Sequence, residues 1–162
     1  MEATARRTTG ERRTPLQTAA LAVGAVFLTV GILGFIPGIT TNYDDLSFAG
    51  NESDAELLGL FQVSILHNIV HLIFGVAGLL LSRTWDGARN FLVGGGIIYL
   101  GLGLYDALVK QESSANFLPT NNADTWLHLA LGVGMLGLGL ALRGRSTATS
   151  PRLARAEGDG RV

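Results

Sequence analysis

The segment Leu57–Leu81 reads LLGLFQVSILHNIVHLIFGVAGLLL and carries no formal charge. About 20 apolar residues at 1.5 Å each cross a hydrocarbon core of roughly 30 Å. Length and composition therefore predict a membrane-spanning helix over 57–81. Gln62, Ser64, His67, Asn68 and His71 interrupt it. Polar side chains at that depth are costly and turn toward other helices or a cavity. His67 and His71 are four apart, and Asn68 and His71 three apart, so all three lie near one helix face. The rest of the chain is expected to cover that face.

Three further apolar runs supply the cover: Leu16–Ile36, Phe91–Val109 and Ala123–Leu142. Pro37 and Gly38 end the first by removing a donor and supplying a turn. That run is long for a signal core and lacks a convincing cleavage site, so it reads as a retained helix. The fold expected is all-α, an integral membrane four-helix bundle with helices at about 16–36, 57–81, 91–109 and 123–142. Disordered cytoplasmic segments are expected at 1–15 and 143–162, and Arg83–Arg89 is read as a short turn. Of the 162 residues, 48% are hydrophobic and 15% charged, and the charges gather in tails and loops, which is the membrane signature. The absence of cysteine excludes disulfides, thiolate metal sites and cysteine catalysis. A net charge of −1 gives no reason to expect a nucleic-acid partner. The expected partner is the lipid bilayer, with a homo-oligomer or another membrane protein compatible with it.

Orientation follows from the basic residues. Arg6, Arg7, Arg12 and Arg13 precede the first helix, Arg83 and Arg89 follow the second, and five arginines follow the fourth. The opposite side holds Lys110 alone. The positive-inside rule then places both termini in the cytoplasm of a multi-pass plasma-membrane protein. The acidic loop 39–56 would face outside.

The second and fourth helices share a phrase. His71-Leu72-Ile73-Phe74-Gly75-Val76 parallels His128-Leu129-Ala130-Leu131-Gly132-Val133. A weaker parallel sets Val23, Gly24 and Gly31 against Val93, Gly94 and Gly101. Two repeated helical hairpins are one reading and chance in glycine- and leucine-rich segments is the other. Under the repeat, His71 and His128 lie at similar depth and Asp124 takes the place of His67. Asp106, near the outer end of the third helix, could then join them.

The His67-Asn68-Ile69-Val70-His71 phrase, the Gly94, Gly95 and Gly96 run with Tyr99, and the segment Asn122–Gly132 containing Trp126-Leu127-His128 carry a family resemblance. Over roughly Leu16–Leu142 the chain resembles the small actinobacterial four-helix membrane proteins grouped as domain of unknown function 4383. The resemblance implies a four-helix bundle in the plasma membrane. It transfers no functional residue, because that family has no established activity.

Three readings of the polar cluster stay open. Asn68, Gln62 and Asp106, with the histidines, can be interhelical hydrogen-bonding groups in a non-enzymatic protein that needs no cofactor. Alternatively His67, His71 and His128, with Asp124, form a metal site, since imidazoles at i and i+4 can grip one ion from a single helix turn. Haem ligation between facing helices belongs to the same class. The third reading is a small proton or solute transporter. Asp106 is expected to reach outside water, its alternative being to hold the His128 ring. Tyr99 and Tyr105 read as packing and interface anchors. No catalytic residue is expected, because no Gly-x-Ser-x-Gly elbow or placed triad is present. Gly94–Gly96 lacks the strand–turn–helix setting of a phosphate loop.

Overall fold

Helix α1, Pro15–Leu33, begins where the Thr14 side chain accepts a hydrogen bond from the Gln17 amide and the Gln17 side chain accepts one from the Thr14 backbone N–H. Pro15 occupies the first turn, where its missing N–H costs nothing. The computed structural model describes residues 13–50, 52–109, 113, 115 and 117–142. The disordered segments expected at 1–15 and 143–162 lie outside the described residues, apart from residues 13–15. Pro15 is the first residue of α1 rather than the end of the arm.

Three helices complete the frame: α2, Ile65–Leu81; α3, Trp85–Leu108; and α4, Asn122–Ala141. The all-α reading stands. Helices α1, α3 and α4 are long and apolar enough to cross a membrane, and α2 is apolar with 17 residues. A small sheet and a single 3-10 turn, Tyr43–Asp45, lie between α1 and α2. The strands β1 (Thr40–Thr41), β2 (Glu56–Leu57) and β3 (Phe61–Gln62) pair antiparallel in that order.

The helix expected over 57–81 therefore starts at Ile65, and residues 57–63 belong to the hairpin. The cause is local. Leu58 and Gly59 both adopt left-handed backbone, with φ of 58° and 65°, which turns the chain instead of coiling it. Ser64 then caps α2 by accepting from the His67 amide. A run of apolar residues reads alike as buried strand or helix. The third helix departs in the other direction, starting at Trp85 rather than Phe91. Thr84 caps it through the Gly87 amide, so the turn expected over Arg83–Arg89 shrinks and Arg89 rides on α3. The first helix ends at Leu33 rather than Ile36, and the Thr40 hydroxyl donates to the freed carbonyls of Leu33 and Gly34.

Helix α1 packs chiefly on α2, and α3 chiefly on α4. Both hairpins use the same device. A Cβ on Gly75 would lie 2.6 Å from the Leu28 backbone nitrogen, and one on Gly132 would lie 2.7 Å from that of Leu100. Such contacts are far inside van der Waals range, so glycine sets how closely each pair approaches. Offsets of 57 residues (Gly75 to Gly132) and 72 residues (Leu28 to Leu100) carry one hairpin onto the other. Gly24 and Gly31, pressed on α2, then correspond to Gly96 and Gly103, pressed on α4. This corrects the register expected from sequence, because Gly94 and Gly101 face open space. The hairpins meet around Leu16, Ala20, Phe27, Phe91, Leu92, Tyr99 and Met135.

Candidate functional site

Near the sheet end of the helices, one ring nitrogen from each of His67, His71 and His128 lies within 4.8 Å of the others. All three side chains are buried. His67 and His71 stand one turn apart on α2, with their Nε2 atoms 3.1 Å from each other. Two ligands held about 2.0–2.1 Å from a tetrahedral zinc ion would be roughly 3.3–3.4 Å apart. The observed pair is near that separation without rearrangement. His128 comes from α4, its ring centroid 6.1 Å from that of His67.

Offsets of 57 and 72 also account for the walls. Phe27 on α1 packs edge-on to His71, with centroids 5.3 Å apart, and Tyr99 on α3 packs edge-on to His128 at the same distance. The two aromatic residues are the 72-residue pair. Where the repeat breaks, the chemistry appears. Gly34 corresponds to Asp106, and His67 to Asp124. Asp106 Oδ2 lies 2.6 Å from His128 Nδ1, and its Oδ1 accepts from the Thr120 hydroxyl at 3.1 Å. A carboxylate on one ring nitrogen fixes the tautomer and leaves the other nitrogen free to coordinate. Asp106 thus takes the alternative role, holding the His128 ring rather than reaching outside water.

Asp124 does not join the histidines. Its Oδ2 accepts backbone N–H groups from Gln62 at 3.0 Å and Asn121 at 2.9 Å. The Asn121 side chain accepts in turn from the Ala123 and Asp124 amides. At the third position of α4 a carboxylate closes a capping box, and here it also pins the β3 strand to α4. Gln62 is likewise apart from the triad, donating to the Ser53 carbonyl at 2.7 Å. Asn68 is buried on the α1 side, its carboxamide filling the space above Gly34. In the metalloprotease phrase His-Glu-x-x-His, the position after the first histidine is the general base. Here it is Asn68, which has no basic group and faces away.

Two features escaped the sequence. The loop residues Phe117, Leu118 and Thr120 close over the triad with Tyr105, whose hydroxyl donates to the Ala115 carbonyl. Beneath them lies a cavity of about 240 Å³. Loop-to-site contacts leave no periodic trace, so no pattern in the sequence marks them. The second feature is a shortage of partners: His67 Nδ1 and His71 Nδ1 are buried without a hydrogen-bond partner among the described residues. Buried imidazoles that serve only as structural groups are usually paired.

No curated protein and no solved structure matches the chain. The family model described as domain of unknown function (DUF4383) matches residues 17–141, nearly the whole helical region, and the chain belongs to that family.

Proposed function

We propose that this is a multi-pass plasma-membrane protein, both termini cytoplasmic, that holds one transition-metal ion on His67, His71 and His128. The observation that carries the reading is the convergence of three buried ring nitrogens within 4.8 Å. Asp106 behind His128 supports it as the carboxylate that orients a ligating imidazole. Imidazole donors suit Zn²⁺, Cu²⁺ and Fe²⁺. Haem held by two histidines is less well served, because such ligation places the rings on opposite faces of a flat slot, whereas these nitrogens converge on one point. Hydrolysis is not proposed, since Asn68 replaces the base of the metalloprotease phrase.

The hydrogen-bonded His67–His71 pair favours one competing reading, a structural cluster that ties α2 to itself and α4 to α3. Elemental analysis of detergent-purified protein separates the two. The metal reading expects about one ion per chain, lost in the His67→Ala, His71→Ala, His128→Ala triple variant. Folded protein that takes up no Zn²⁺, Co²⁺ or Cu²⁺ on addition would establish the structural reading instead.

A further inference from the structure

Three protein ligands leave a tetrahedral ion one position short, which is how zinc sites that accept an outside ligand differ from closed structural ones. The cavity of about 240 Å³ lies beside the triad, between α2 and α3. Val70, Leu102, Phe117 and Leu118 form its apolar wall, and the rings of Tyr99 and Tyr105 complete it. Among the described residues, neither Lys nor Arg lines it. The one carboxylate at its edge, Asp106, is occupied by His128 and Thr120.

We propose that the open coordination position takes the donor atom of a small, uncharged, largely apolar molecule whose body occupies this cavity. The inference rests on the metal reading above. Burying a charged ligand requires partners that offset its lost hydration, and the described lining offers no free charge for one, only hydroxyls and imidazoles beside a mainly apolar wall. Size narrows the class further. An apolar cavity of about 150 Å³ holds benzene, so this one suits a single ring with a short substituent.

The test uses the full-length protein in detergent, loaded with Co²⁺, whose visible bands report changes in coordination. The probes are 4-ethylpyridine, neutral and apolar with one nitrogen donor, and azide, a small anion. The expected result is a saturable band shift with 4-ethylpyridine, at an apparent affinity at least about tenfold tighter than azide. Val70→Trp, which fills the cavity without touching a ligand, should keep the Co²⁺ bands and weaken the probe by at least about tenfold. Leu102→Trp fills the same space from α3 and replaces Val70→Trp if that variant does not assemble. Co²⁺ bands that ignore 4-ethylpyridine, or that answer azide equally well, overturn the inference and leave the metal reading standing. A response undiminished by either tryptophan also overturns it. Protein that binds no Co²⁺ removes the metal reading and this inference with it.

Discussion

At the scale of single residues, the site turns on what backs each imidazole. His128 has Asp106 on Nδ1, and Asp106 has Thr120 on its other oxygen. His67 and His71 lean on each other through their Nε2 atoms. Among the described residues the carboxylate is the charged group that orients a ring, and removing it tests the arrangement. Asp106→Ala should weaken metal binding by about 10–100-fold, the usual cost of losing such a partner. Competition with a calibrated chelator measures it, and Asp106→Asn, which keeps an oxygen for the ring N–H, should lose less. Equal affinity in all three proteins would reduce Asp106 to packing. The histidine triad was legible in the sequence because spacing at i and i+4 fixes a shared face. The Asp106–His128 contact was only an alternative there, since it depends on how α3 and α4 rotate against each other. Alignment with His67 is what argues for Asp124 as a metal ligand. That alignment is right, yet a carboxylate so near a helix start is taken up by backbone N–H groups.

Among elements, the helices themselves were legible and their ends were not. Apolar length marks a helix, but caps decide where it starts, and Ser64 and Thr84 act through single hydrogen bonds. The glycine register shows the same limit. Sequence similarity paired Gly24 with Gly94, whereas packing pairs it with Gly96, since only the face turned to the partner helix is constrained. This separates two otherwise similar substitutions. Gly96→Ala would push a methyl to 2.6 Å from the Leu136 backbone nitrogen. It should destabilise the α3–α4 hairpin by about 1–3 kcal/mol, as overpacking does. Gly94→Ala meets open space and should be neutral, or stabilising by up to about 1 kcal/mol through helix propensity. Thermal unfolding in detergent compares them. If Gly94→Ala proved the more damaging, the register from sequence similarity would be restored.

For the whole molecule, the two hairpins share one packing scheme and differ where the site lies. Both halves press a leucine onto a glycine and an aromatic ring onto a histidine. Only the second half carries a carboxylate behind its histidine, and only the first carries a second histidine one turn away. A repeated frame thus supplies depth and alignment, and its unmatched positions supply the donors. If all four helices cross, as proposed, their even number brings both ends of the chain to one side. The proposed cytoplasmic side is the basic one: eleven of the twelve Lys and Arg fall with the termini and the Arg83–Arg89 region, and Lys110 is the exception. The sheet and the triad would then sit in the outer half, where an ion is gained or lost through the exterior. The chain has no cysteine, so a single introduced thiol is an unambiguous marker. Glu52→Cys, in the acidic loop, should react with an impermeant maleimide on intact cells. Ser146→Cys, beyond α4, should react only after permeabilisation. The opposite pattern would turn the bundle over and face the histidines toward the cytoplasm. Equal labelling of both in intact cells would place the loop and tail on one side and overturn the proposed four crossings.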